Sequence, residues 1–343
     1  MLKYIFSLLS SFWCLFSCNA QQLSYQISPV YGYKFQRKNF FTQPISGLTL
    51  DINRTTNGIK YWQSDHKFPQ MGLQFMMRDF DKQSPHRLTF SAVPYLEFNI
   101  LKSNLGRLQI KHGTGLAFVA GHKKGNVKSL LGTKLNASSV IDLGYSFNSK
   151  GKFNVKPGLL LSHVSNGNLV SPNKGINAVF AYFQMAYCPK KLPVNYIHNR
   201  KIFPGKRWRP EYRLSFGLYD YVKEEKKIGL KLQHLVMQTY LHNTRFRTGL
   251  GTEFMHDAAF DDVIISVYAE ESVLIGHLVT RYGLGIYVND IPVNSSRIYE
   301  KVGLAWLPFK LHDSVGQGLS IGTDIKAHKF KAVMIDVYVG YLF

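Results

Sequence analysis

From residue 23 onward, short segments alternate apolar and polar side chains, and Gly, Asn, Lys and Pro separate them. Strict alternation gives a β-strand two different faces, so its repetition predicts an all-β protein. The last segment is the clearest. Val333, Ile335, Val337, Val339, Tyr341 and Phe343 make one apolar face, and Met334, Asp336, Tyr338 and Gly340 make a mixed one. Segments of about ten residues with one apolar face suit tilted strands that cross a bilayer, with lipid on one side and a lumen on the other. No run of 18 apolar residues follows the N-terminal segment, so no helix is expected to span a membrane. Strands are expected near 70–80, 87–102, 106–120, 134–147, 152–165, 175–187, 211–221, 227–241, 245–256, 260–271, 275–288, 299–308, 316–326 and 333–343. The fold class expected is a transmembrane antiparallel up-and-down β-barrel of about 14 strands (12–16), an even number as bacterial barrels require. Residues 23–34 and 47–56 would add a pair. Residues 21–343 are read as a single domain without internal repeat. One stretch fits poorly: Pro189 to Pro210 is long and basic, and the strand count places it where turns are normally short.

The N-terminus changes the picture by giving a destination. Lys3 supplies a positive start, Tyr4 to Phe16 is apolar, and Cys18-Asn19-Ala20 offers small residues before a cleavage point at Gln21. Lipidation at Cys18 is the rival reading, which Phe16 disfavours. Removal of residues 1–20 leaves Cys188 as the single cysteine, so no internal disulfide framework can hold the exported fold. No Cys/His spacing suggests a metal, and no cofactor is expected. With 42 basic and 21 acidic residues the chain carries +21. That excess suits an anionic lipid or a set of solvated basic loops. Nucleic acid is excluded as a partner by the export signal and by the lack of any helix-turn-helix, RNP or finger pattern.

One constellation is chemical. In strand 152–165, His163 and Ser165 share the apolar, lipid-directed face with Leu159 and Leu161. Residues two apart on a strand lie side by side, within reach for imidazole to activate a hydroxyl. If 166–174 form the connecting loop, His163 faces Asn177 on the next strand, where the amide can accept the Nδ1 proton and fix the ring. The short turn at Asn148–Gly151 directs strand 152–165 outward, so Ser165 is expected near the outer leaflet.

The extended string His163-Val-Ser-Asn-Gly and Ser171-Pro-Asn-Lys-Gly-Ile-Asn177 resembles the signature of the lipid A 3-O-deacylase family, whose Bacteroidetes-type members are labelled acyloxyacyl hydrolase-like. The resemblance is best over residues 70–188. It implies an outer-membrane barrel of a Gram-negative bacterium that cleaves an ester-linked acyl chain from lipid A, the lipopolysaccharide anchor. Carried over by position, Ser165 is the nucleophile, His163 the general base and Asn173 the oxyanion-hole asparagine, with a backbone N–H near Asn168 as second donor. Asn177 departs from the pattern, because the family carries an acid there. Family barrels have eight strands, which makes the C-terminal half an enlargement. A basic outer-loop rim at Lys123, Lys124 and Lys128 is the expected holder of lipid phosphates. The alternative is a non-catalytic barrel: a pseudoenzyme, a structural protein or a porin-like transporter.

Overall fold

Among the described residues sixteen antiparallel strands form, and every one expected from the alternation is present. The computed structural model describes residues 23–36, 39–79, 88–120, 130–149, 151–170, 172–189, 195–199, 205, 207–221, 227–257, 262–289, 296–308, 318–329 and 331–343. The expected export signal at 1–20 lies outside them. The strands are β1 (Leu23–Gln36), β2 (Asn39–Thr55), β3 (Gln70–Asp79), β4 (Leu88–Lys102), β5 (Gly106–Ala120), β6 (Leu135–Phe147), β7 (Phe153–Ser165) and β8 (Ile176–Tyr187). They continue as β9 (Arg207–Tyr221), β10 (Lys227–Leu241), β11 (Phe246–Asp257), β12 (Asp262–Ile275), β13 (Leu278–Tyr287), β14 (Ile298–Trp306), β15 (Gly318–His328) and β16 (Lys331–Leu342). A one-turn helix, α1 (Tyr61–Asp65), sits in the β2–β3 connection.

The strands do not close into one ring. β1 to β8 form one closed barrel and β9 to β16 a second. The expected single barrel of about 14 strands is therefore corrected to two barrels of eight. Closure comes from β8 returning to β1, with Tyr25 opposite Tyr187 and Phe35 opposite Asn177, and from β16 returning to β9, with Leu218 opposite Ile335. In sequence, the poorly fitting basic stretch runs from the end of β8 into β9.

The side chains inside each ring show why eight strands suffice. An eight-stranded lumen is just wide enough for side chains to fill. In the first barrel Lys111 Nζ meets Asp51 at 2.9 Å, and Lys156 Nζ reaches Asp142 at 3.0 Å and Glu97 across the lumen. In the second, Arg213 makes a fork of two bonds to Glu270 at 2.6 and 2.7 Å. Arg281 bonds Asp324 at 2.9 Å, and Lys326 bonds Glu253 at 3.0 Å. The pairs Lys111–Asp51, Lys156–Glu97, Arg213–Glu270 and Lys326–Glu253 join non-neighbouring strands across one narrow ring. Among the described residues, eight acids and eight bases are buried in the two lumens. A charge out of water needs a partner, and these buried charges balance. The outer walls are apolar: Leu50, Phe75, Leu116, Phe183, Val267 and Val337 are all exposed.

The barrels touch through their connections. At the end that holds the β2–β3 connection, the His66 Nε2–H donates to the Leu274 carbonyl at 2.8 Å, and Trp62 packs against Gly276. At the opposite end the β7–β8 loop meets β16. The Asn168 side-chain amide donates to the Val333 carbonyl at 3.3 Å, and Gly167 lies under Ile335.

Candidate functional site

β7 and β8 are in the register the sequence implies, His163 opposite Asn177 and Val164 opposite Ile176. Val164 and Ile176 point inward and are buried in the apolar part of the first lumen with Val140, Leu160 and Phe180. That packing fixes the strand ends and turns His163 and Asn177 to the outer wall. Ser162, the inward neighbour of His163, accepts a 2.6 Å bond from Arg78 Nη1, while Arg78 Nη2 holds Ser91 on β4 at 3.0 Å. A fully buried guanidinium thus ties β7 to the opposite side of the barrel.

His163 Nδ1–H donates to Asn177 Oδ1 at 2.7 Å. With that proton placed, Nε2 keeps its lone pair and can act as a base. Gly175, at φ +65°, makes room for the ring, because a Cβ there would stand 3.0 Å from His163 Cε1. Ser165 closes β7 on the same face and is only 5% exposed. No hydrogen bond joins Ser165 to His163 among the described residues.

The loop is organised by a residue the sequence reading passed over. Asn166 N–H donates to Asn173 Oδ1 at 3.2 Å, and Asn166 Nδ2 donates to the Val170 carbonyl at 2.7 Å. Asn166 Oδ1 accepts the Asn168 N–H at 3.0 Å. Because a backbone N–H must meet an oxygen, the first bond orients the Asn173 amide and leaves its NH₂ free to donate elsewhere. Asn173 is further held by a bridge to Leu131. The Asn168 N–H, expected as the second oxyanion donor, is already engaged by Asn166. The only hint of this hub in the sequence was a short polar side chain flanking a glycine, a pattern that local Asx turns share.

Ser165, His163, Asn173 and Asn177 are therefore brought together at one end of the first barrel, and Asn168 sits beside them at φ +71°. Lys123, Lys124 and Lys128, expected to hold phosphate, fall outside the described residues. No group of three metal-binding side chains occurs among the described residues.

Residues 22–186 match the family model described as lipid A 3-O-deacylase (PagL). The match starts well before residue 70 and coincides with the first barrel. Among solved structures, the outer membrane enzyme PagL is 19% identical and aligns over 46% of this chain and 97% of its own, with a TM-score of 0.32. A Rhodopseudomonas blastica porin variant is 12% identical over 94% of this chain and 100% of its own, with a TM-score of 0.19. No curated protein matches the chain. The family match thus covers the first of the two closed barrels.

Proposed function

With the first barrel matching the lipid A 3-O-deacylase family, we propose that this protein is an esterase that removes an ester-linked acyl chain from lipid A. The observation that carries the reading is the His163–Asn177 bond of 2.7 Å on the lipid-directed wall, two residues from a serine whose loop presents a free asparagine NH₂. Polar groups on such a wall are costly unless they serve a purpose.

In the proposed mechanism His163 Nε2 takes the proton of Ser165 as its Oγ attacks the ester carbonyl. Asn177 Oδ1 keeps the Nδ1 proton in place, so the ring presents the correct nitrogen throughout. The oxyanion that develops is held by Asn173 Nδ2, and the sugar alkoxide leaves with the proton from His163. Water then attacks the acyl-enzyme by the reverse proton path and releases the fatty acid. Asn177 orients but adds no negative charge, which predicts a slow enzyme. The lumens, filled with paired charges, speak against a porin-like role.

The test is mass spectrometry of lipid A from cells that express the wild type or Ser165→Ala. Loss of one acyl mass with the wild type alone is expected. Identical spectra, with both proteins confirmed in the outer membrane, would refute the esterase reading.

A further inference from the structure

The polar surface of the outer wall is wider than the candidate triad. Thr114 on β5 stands opposite Ser139 on β6, Ser139 opposite His163, and His163 opposite Asn177. The four therefore form a single row across β5 to β8, on the outer face. Thr114 and Ser139 share a hydrogen bond of 3.0 Å. His112 stands two residues before Thr114 on the same face, opposite Ile141. The surrounding wall is apolar, with Ile110, Leu116, Ile141 and Leu161 exposed.

Two hydroxyls bonded to each other use one of their two protons, and the second proton and several lone pairs are left over. On a face turned to hydrocarbon such a remainder is unfavourable unless a ligand or interfacial water meets it. Neighbouring strands lie about 4.8 Å apart, so Ser139 is roughly 5 Å and Thr114 roughly 10 Å from His163 along the row. That distance is too long for a substituent near the carbonyl of the cleaved chain. It suits a separate acyl linkage on the same headgroup.

We propose that His112, Thr114 and Ser139 form a subsite that hydrogen-bonds the ester or amide linkage of a neighbouring acyl chain, while the scissile ester of the same multiply acylated lipid lies at Ser165. The subsite rests on the deacylase reading. It makes the enzyme select lipids with several chains over single-chain esters.

Purified protein in mixed micelles tests this with two probes, lipid A and a single-chain p-nitrophenyl ester. In Thr114→Val/Ser139→Ala the ratio of kcat/KM for lipid A over the simple ester should fall about tenfold, the effect of one to two lost neutral hydrogen bonds. Thr114→Ser/Ser139→Thr, which keeps both hydroxyls, should retain the ratio. An unchanged ratio in the first variant would overturn the subsite. A second arm does not depend on turnover: lipid A that copurifies with Ser165→Ala is weighed by mass spectrometry with and without the two substitutions. A lower lipid content supports the subsite even if the wild type cleaves nothing, a result that sinks the esterase reading alone. Equal lipid content overturns the subsite itself.

Discussion

The neutral residue beside His163 offers the sharpest test of the mechanism. Asn177→Asp keeps an oxygen where the amide oxygen now accepts the Nδ1 proton at 2.7 Å, and adds a negative charge that attracts the imidazolium formed during attack. Two unit charges roughly 4 Å apart interact by about 4 kcal/mol at an effective dielectric of about 20. Asn177 is half-buried near the end of its strand. A carboxylate near the bilayer interface costs on the order of 1 kcal/mol, far less than one at the midplane. The net gain is about 2–3 kcal/mol in transition-state stabilisation, or roughly 30- to 150-fold in rate. The reverse change in a Ser-His-Asp protease costs about 10⁴, and the partly solvated position of Asn177 makes the effect here smaller. The assay is the initial rate of fatty-acid release from lipid A, with Asn177→Ala and Asn177→Asp/Ser165→Ala as companions. Asn177→Ala should fall below the wild type because the ring loses its anchor, and the double variant should be inactive. If Asn177→Asp is no faster than the wild type while the wild type turns over, Asn177 is not the orienting partner and the proton path is wrong.

Two further outcomes follow from the contacts between the barrels. Gly167 has φ +65°, and a Cβ there would come 2.1 Å from Ile335 Cδ1, so Gly167→Ala should lower fatty-acid release by displacing the loop that follows Ser165. Ile335→Ala should restore part of that loss in the double variant, and an absence of any restoration would mean the second barrel does not hold the loop. At the other end, burial depresses the pKa of His66 most, and the positive charge of Arg245 lowers it further against the opposing Leu274 carbonyl. The native junction thus favours neutral His66, so its contribution is complete above about pH 6.5, the ordinary histidine value, and falls as pH drops from there toward the depressed native value. Hydrogen-exchange protection over 57–68, taken relative to the intrinsic rate at each pH, should fall between pH 7.5 and 5.5 in the wild type but not in His66→Phe, and equal pH dependence in both would exclude His66 as the cause.

The strands were legible in the sequence because alternation is a local property. Each lipid-facing residue is two positions from the next whatever the strand pairs with, so β7 and β8 could be drawn with His163 opposite Asn177 from the loop length alone. The same local rule placed Met334, Asp336 and Tyr338 inside, where they are buried. It also placed His163 and Ser165 on one face, although the burial of Ser165 could not be foreseen from alternation.

What alternation cannot encode is which strand closes on which, since β8 has the same two faces whether it meets β1 or β9. That choice was made by long-range pairs: Lys111 with Asp51, Lys156 with Glu97, and Arg213 with Glu270, each spanning a narrow lumen. The loop chemistry was likewise tertiary. Asn166 became the hub because the chain reversal brings Asn173, Val170 and Asn168 within hydrogen-bond distance of one side chain. The row of Thr114, Ser139, His163 and Asn177 spans 64 residues of chain but only four adjacent strands, and only the register of three pairings could assemble it. Local patterning decided the elements and their faces; closure of two narrow rings decided which distant polar groups meet.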